Sequence, residues 1–82
     1  MYWVYILRCR DGSLYTGVSD DVERRAAVHN SGKGAKYTRG RLPVQVVYRE
    51  QCLDRSAALK RELAIKALSR EKKLALIAAG PQ

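Results

Sequence analysis

The chain has 82 residues, enough for one domain with a single small core. Sixteen Lys and Arg residues against eight Asp and Glu residues give a formal net charge of +8, which favours polyanionic partners. An apolar share of 46% excludes a disordered chain, and no apolar run approaches the ~18 residues of a membrane span. Two cysteines without a secretory signal indicate a reducing, cytoplasmic environment.

The chain begins with a predicted β-hairpin. Residues 2–9 are rich in Tyr, Trp, Val, Ile and Leu, which is typical of a buried strand. Asp11 and Gly12 form a turn signal, and residues 13–18 would form the return strand. The hairpin therefore occupies the first quarter of the chain.

The length of the hairpin loop decides where two tyrosines point. A two-residue loop would turn Tyr5 and Tyr15 to opposite faces of the sheet. A three-residue loop with Gly12 in the left-handed region would pair Tyr5 with Gly17 and place both tyrosines on one face. A site that is shared by the two phenols requires the second register.

A helix is predicted after the hairpin. Asp20 resembles an N-cap, with Glu23 reaching back in a capping box, and the helix should run to about Asn30. Arg25 and His29 lie one turn apart, so they share one face of this helix. Residues 31–34, which include two glycines and a lysine, predict a flexible basic loop.

The remaining chain predicts one more strand and two helices. These are a strand from Val44 to Cys52, a helix capped near Asp54 or Ser56 that runs to about Leu68, and a last helix capped by Ser69 that stops at Gly80-Pro81. Leu59 and Leu63 are four residues apart, and we expect them to point toward the core.

Five positions in this order carry a family resemblance. They are the tripeptides Trp3-Val4-Tyr5 and Tyr15-Thr16-Gly17, then Arg25, His29 and Glu62. The set resembles the GIY-YIG endonuclease family, and looks closest to its small stand-alone bacterial members. The resemblance covers nearly the whole chain. It implies an α+β fold, a three-stranded antiparallel sheet flanked by helices, and hydrolysis of DNA phosphodiesters with one divalent metal, Mg²⁺ or Mn²⁺.

Each of the matched residues has a chemical role that suits phosphodiester hydrolysis. Tyr5 and Tyr15 are joint candidates for the general base, since cations can lower the pKa of a phenol. Arg25 offers planar donors to phosphate oxygens, and His29 could hydrogen-bond the phosphate or a tyrosine. Glu62 is a hard oxygen ligand that suits Mg²⁺ with several waters retained. The alternative for Glu62 is a surface salt bridge with a neighbouring lysine or arginine.

The chain departs from the family pattern beside the second motif. Val18 follows the motif glycine, where many members place a lysine or another polar residue that assists the base. Assistance from a lysine would then come from Lys33, Lys36 or elsewhere. Trp3 replaces the small glycine of the first motif, which we interpret as a packing change.

A basic segment with an interleaved aromatic residue is the predicted nucleic-acid contact. Its candidates are Lys33, Lys36, Tyr37, Arg39 and Arg41, together with Arg24 on the preceding helix. Such a segment can follow a phosphate backbone and stack a base. Together with the family resemblance, this segment predicts a metal-dependent DNA endonuclease that acts in repair or on branched or single-stranded DNA. The alternative is a nucleic-acid-binding module that keeps the fold without turnover.

Overall fold

The computed structural model describes residues 1–80, in which three antiparallel strands form one sheet in the order β2-β1-β3. The elements are β1 (Tyr2–Cys9), β2 (Leu14–Ser19), α1 (Val22–Asn30), α2 (Lys36–Arg39), β3 (Val44–Cys52), α3 (Arg55–Lys66) and α4 (Arg70–Ala79). The predicted α+β fold with a three-stranded antiparallel sheet flanked by helices is confirmed. No helix within the described residues is long and apolar enough to cross a membrane.

The hairpin adopts the three-residue loop. Tyr5 lies opposite Gly17 and Leu7 lies opposite Tyr15, which is the register that a shared tyrosine site requires. Gly12 has a φ of +86°, in the left-handed region that glycine adopts without steric cost. The loop therefore places both phenol-bearing residues on the same face of the sheet.

Each face of the sheet carries its own core cluster. One cluster contains the buried residues Val4, Ile6, Tyr48, Ala58 and Ile65, and the other contains Tyr5, Leu7, Cys9, Val22 and Val44. Successive side chains of a strand point to opposite faces, so the even positions of β1 face α3 and the odd positions face α1. Tyr5 consequently lies on the α1 side of the sheet.

Helix α1 begins one residue later than its capping pattern predicted. Asp21, not Asp20, is the N-cap and accepts a hydrogen bond from the backbone N–H of Arg24. The physical reason is that β2 continues one residue beyond its predicted end, which shifts the helix start. The predicted reach of Glu23 back to the cap is also wrong, because its carboxylate pairs with Arg49 on β3.

Helix α3 presents a different face to the sheet from the one predicted. Leu59 and Leu63 are 38% and 67% exposed, so the expectation that they point toward the core is wrong. Ala58 and Ile65 are the buried residues of this helix. The small side chain of Ala58 lets the helix approach the sheet closely. Glu62 lies between these two residues on the same stripe, and it is therefore turned inward.

The remaining predicted boundaries agree closely with the structure. Strand β3 spans Val44–Cys52 as predicted, and of the two proposed caps for α3 it is Asp54 that accepts from the N–H of Ala57. Ser69 caps α4, which ends at Ala79 before Gly80. The predicted stop at Pro81 lies outside the described residues.

Candidate active site

A pocket of about 230 Å³ opens along the free edge of β2, next to Gly17. It is lined by Tyr2, Tyr5, Tyr15, Gly17, Val18, Arg25, Arg55, Leu59 and Glu62. Four of the five candidate catalytic residues therefore surround one opening. The fifth, His29, does not line the pocket; it is fully buried behind Tyr5.

Gly17 makes this convergence possible. Its neighbour across the strand pair is Tyr5, and a Cβ added at Gly17 would lie only 2.5 Å from the Tyr5 hydroxyl oxygen. The phenol therefore occupies the space that a side chain would fill. Arg25 approaches from α1 on one face of the sheet, and Glu62 approaches from α3 on the other. The pocket forms where these groups meet at the edge strand.

Tyr5 and His29 belong to a directed chain of hydrogen bonds. The Tyr5 hydroxyl lies 3.2 Å from His29 Nε2, and His29 Nδ1 lies 2.8 Å from Thr38 Oγ1. Thr38 donates its own hydroxyl proton to the Ala35 carbonyl at 2.9 Å, so it accepts from His29 Nδ1–H. Nε2 of the neutral ring is then an acceptor, and Tyr5 donates to it.

Burial and charge set the protonation of this pair. Burial raises the pKa of Tyr5 to about 12, with a smaller contribution from Tyr15, while the Arg25 guanidinium opposes the rise. Burial, followed by the positive charge of Arg25, lowers the pKa of His29. At neutral pH the pair is therefore an intact phenol and a neutral imidazole.

Glu62 combines low exposure with access to the pocket. Its side chain is 16% exposed and lies 3.5 Å from Lys66 Nζ, one turn further along α3. The alternative role of Glu62, a salt bridge with a neighbouring lysine, is therefore present in the structure. The Glu62 side chain nevertheless lines the pocket. Among the described residues no group of three or more His, Cys, Asp or Glu side chains surrounds a metal position. The single carboxylate of Glu62 fits Mg²⁺ or Mn²⁺, for which water and the substrate phosphate would supply the other oxygen ligands.

Arg55 is a pocket residue that the sequence interpretation missed. It is the first residue of α3 and lies seven positions before Glu62, so the two residues share a helical face. That spacing is the signal that could have identified it. Arg55 adds a second guanidinium to the pocket, which Val18 also lines.

The residues proposed for nucleic-acid contact are exposed, except Arg41, which is partly buried and pairs with Asp11. Arg24 pairs with Asp20 at 3.3 Å on α1. Lys33, Lys36 and Arg39 form no ion pair within the described residues. The segment that contains them is less irregular than predicted, because residues 36–39 form the short helix α2.

Tyr15 and Tyr37 form a row of aromatic rings that begins at His29. The Tyr15 ring lies 5.2 Å from the His29 ring and 6.0 Å from the Tyr37 ring, measured between centroids. The two tyrosine rings are inclined by 27° and are stacked. Trp3, the departure from the first motif, is partly buried against the cluster that contains Tyr5, consistent with a packing role.

The fold and its edge pocket are of the nuclease type. Comparison with known proteins identifies the family. A family model described as the GIY-YIG catalytic domain matches residues 1–75, and the chain belongs to this family. It is 56% identical to a UPF0213 protein of Staphylococcus saprophyticus over 96% of each chain. It is 60% identical to a UPF0213 protein of Haloquadratum walsbyi, covering 96% of this chain and 89% of that one.

Solved structures agree with this assignment. The solution NMR structure of a UPF0213 protein from Bacillus halodurans matches with a TM-score of 0.61 and 49% identity, over 95% of this chain and 84% of that chain. A second NMR structure, of a protein from E. faecalis, matches with a TM-score of 0.60 and 42% identity, over 94% and 83% of the two chains. Family membership gives nucleic acid as the class of substrate.

Proposed function

We propose that the protein is a divalent-metal-dependent endonuclease that hydrolyses DNA phosphodiester bonds. The observation that carries this proposal is the pocket in which Tyr5, Tyr15, Arg25 and Glu62 meet around one opening. A base, a cationic donor and a hard oxygen ligand are the three groups that hydrolysis of a phosphodiester requires. The convergence of these four residues from four different elements supports catalysis over passive binding.

Arg25 and Arg55 bind the scissile phosphate in this proposal. Guanidinium groups donate parallel hydrogen bonds to phosphate oxygens and stabilise charge that develops in the transition state. Glu62 would hold the Mg²⁺ or Mn²⁺ ion, which would supply positive charge beside the phosphate. The ion pair between Lys66 and Glu62 is 3.5 Å long and the lysine is half exposed, so little free energy is needed to open it when Glu62 binds the ion.

Tyr5 is the general base, with His29 as the final proton acceptor. A free phenolate is disfavoured at neutral pH because burial raises the pKa of Tyr5 to about 12. Water therefore passes its proton to the Tyr5 oxygen while Tyr5 passes its own proton to His29 Nε2. The resulting imidazolium keeps its Nδ1–H bonded to Thr38. The hydroxide oxygen bonds to phosphorus, the bond to the leaving oxygen breaks, and that oxygen takes a proton from solvent.

Single-stranded or branched DNA, such as arises during repair, is the preferred substrate. The Tyr5 side chain is only 1% exposed, so its hydroxyl lies at the bottom of the pocket. A flexible single strand can bend its backbone into this depth, whereas a regular duplex is stiffer and wider. Unpaired regions therefore give the scissile phosphate better access to Tyr5.

Cleavage of labelled oligonucleotides tests the proposal. Single-stranded, duplex and forked DNA of one sequence are incubated with wild type in Mg²⁺ or Mn²⁺, and products are resolved by electrophoresis. Glu62→Gln should lower the cleavage rate by orders of magnitude while DNA binding stays within a few-fold of wild type. Arg25→Lys should cost roughly 10²–10³ in rate, the usual cost of losing one transition-state donor.

Matched variants separate the residue roles. Glu71→Gln makes the same chemical change at an exposed position of α4 that lines none of the depressions, and it should cleave like wild type. Tyr5→Phe should lose more activity than Tyr15→Phe, and the reverse result would move the base to Tyr15. If wild type cleaves none of the substrates with either metal, the chain is a binding module that keeps the fold without turnover.

A further inference from the structure

A second depression adjoins the candidate active site. It has a volume of about 330 Å³ and is lined by Leu14, Tyr15, Thr16, Tyr37, Lys66 and Lys73. A further depression of about 180 Å³ shares Leu14, Tyr37 and Lys73 with it and adds Ser13 and Arg70. The shared residues make the two depressions one continuous surface, which we term the Tyr37 groove.

The Tyr37 groove joins the candidate active site at two points. Tyr15 lines both the groove and the edge pocket. Lys66, on the groove wall, pairs with Glu62 on the pocket wall. A chain that leaves the edge pocket past Tyr15 therefore enters the groove directly.

The charge in the groove has one sign. Lys66, Arg70 and Lys73 are its ionisable lining residues apart from the tyrosines, and no carboxylate lines it within the described part of the chain. Arg70 and Lys73 form no ion pair among residues 1–80. Cations without internal partners favour phosphate, which single strands present at every nucleotide.

The groove also contains a ring that is held in place. Tyr37 is 41% exposed, and Arg41 Cζ lies 4.1 Å from its ring centroid. Arg41 is fixed in turn by Asp11 at 3.0 Å and by the Tyr37 carbonyl at 2.6 Å. Tyr15 stacks beside the same ring. Arg41 and Tyr15 cover part of this ring, and an unpaired nucleobase can pack against the part of Tyr37 that they leave exposed.

We propose that the Tyr37 groove binds the single-stranded nucleotides adjacent to the scissile phosphate, with one base on Tyr37 and their phosphates at Arg70 and Lys73. This inference rests on the proposed function, since it extends the same site. A base can reach Tyr37 only when it is unpaired, so the groove selects single-stranded DNA at these positions. Helix α4, which carries Arg70 and Lys73, thereby becomes part of the substrate-binding surface.

The test is equilibrium binding without cleavage. Fluorescein-labelled dT12 and a strand of equal length with tetrahydrofuran abasic sites at its central positions are titrated with full-length protein in EDTA, and anisotropy is recorded. Wild type should bind the strand with bases about five-fold or more tightly, which is the lower range for stacking of one base on an aromatic ring. Tyr37→Ala should abolish this preference, and Tyr37→Phe should retain it.

Adjacent lysines on α4 supply the matched control for charge. Lys73→Gln should weaken binding of both strands by the same factor, because it removes a phosphate contact and leaves the ring. Lys72→Gln makes the same change outside the groove and should bind like wild type. Circular dichroism and thermal unfolding establish that each variant is folded.

Two results would overturn the inference. One is a wild type that binds both strands equally, and the other is a folded Tyr37→Ala variant that still prefers the strand with bases. Neither outcome depends on turnover, because no divalent metal is present. The nuclease proposal fails in a different way: wild type would cleave no DNA in Mg²⁺ or Mn²⁺, while it would still bind the strand with bases more tightly than the abasic strand.

Discussion

Thr38 determines which nitrogen of His29 carries the proton. Its hydroxyl donates to the Ala35 carbonyl, so only its lone pairs face the ring, and Nδ1 must be the protonated nitrogen. Gly34 is buried against the same imidazole, where an added Cβ would collide with the ring. The buried histidine is thus oriented from two sides, and its free nitrogen faces the Tyr5 hydroxyl.

Replacing the Thr38 hydroxyl tests this orientation. Thr38→Val keeps the shape but leaves the buried His29 Nδ1–H without an acceptor, so the free energy of unfolding should fall by about 1–3 kcal/mol. Cleavage should fall as well, since Nε2 is no longer held as an acceptor. Thr38→Ser retains the hydroxyl and should keep most of the activity. Urea unfolding and initial rates measure both effects; equal activity of the Val and Ser variants would contradict the orientation.

His29 also links stability to pH, and it is the only histidine in the chain. Burial lowers its pKa in the folded protein below the ordinary value of about 6.5, so the unfolded state binds the proton more readily. Stability is therefore present above that pH and is lost as the pH falls below it. The carboxyl pKa values of Asp11, Glu23 and Glu50 are also lowered, so the stability that these groups contribute is lost at lower pH than that of His29.

Urea unfolding at pH 7.5 and 5.5 tests this linkage. The free energy of unfolding of wild type should decrease between the two values, because protonation of unfolded His29 favours the unfolded state. His29→Gln should be less stable than wild type at pH 7.5 but should change little between them. A wild type with equal stability at both values would show that folding leaves the proton affinity of His29 unchanged.

The sequence identified some of these residues and missed others for a physical reason. Strand alternation and turn chemistry are local rules, so the sequence limited the hairpin to two registers, one of which places Tyr5 and Tyr15 on one face. Arg25 and His29 followed from helical spacing. Thr38 has no such signal: it meets His29 only because residues 31–37 fold back over α1, a path that no local pattern encodes.

At the level of elements, the β1–β2 pair depends on the absence of a side chain at Gly17. Gly17→Ala would place a methyl group 2.5 Å from the Tyr5 hydroxyl and force the phenol away from His29. Overpacking of this kind costs about 1–3 kcal/mol, and cleavage should be lost along with it. Gly40→Ala is the matched control, since no atom lies within 4 Å of its added Cβ and its φ is negative. Thermal unfolding that is unaffected by Gly17→Ala would contradict this geometry.

Helix α3 shows where element-level prediction fails. Its existence and a cap at Asp54 or Ser56 follow from local chemistry, and the helix is present with Asp54 as its cap. The predicted buried face of this helix was wrong, because the hydrophobic pattern gives more weight to the two large leucines than to the small alanine. The sheet instead selects Ala58, which permits close approach, and leaves Leu59 at the rim of the pocket. The same rotation turns Glu62 inward, where its side chain lines the pocket.

Across the whole molecule, ion pairs neutralise only a minority of the positive charges in the part of the chain that the structure describes. Each of the five ion pairs in residues 1–80 joins one cation to one carboxylate, and most of the sixteen Lys and Arg residues have no such partner. Lys33, Lys36 and Arg39 are in this group, as are Arg70 and Lys73 of the Tyr37 groove. We therefore expect binding to be dominated by phosphate contacts and to depend weakly on sequence.

The salt dependence of binding measures these contacts. With about four to six phosphates neutralised, log K for single-stranded DNA should fall against log salt concentration with a slope of roughly −3 to −4. The double variant Lys33→Ala, Lys36→Ala should reduce the magnitude of that slope by roughly 1.4, about 0.7 for each lost contact, and should weaken binding to all sequences alike. Lys60→Ala with Lys72→Ala removes the same charge from exposed helix positions outside the pocket and groove. Equal slopes for the two double variants would mean that only the overall positive field of the molecule attracts DNA. A smaller slope for the Lys33, Lys36 variant alone would locate the path of the phosphates beside α2.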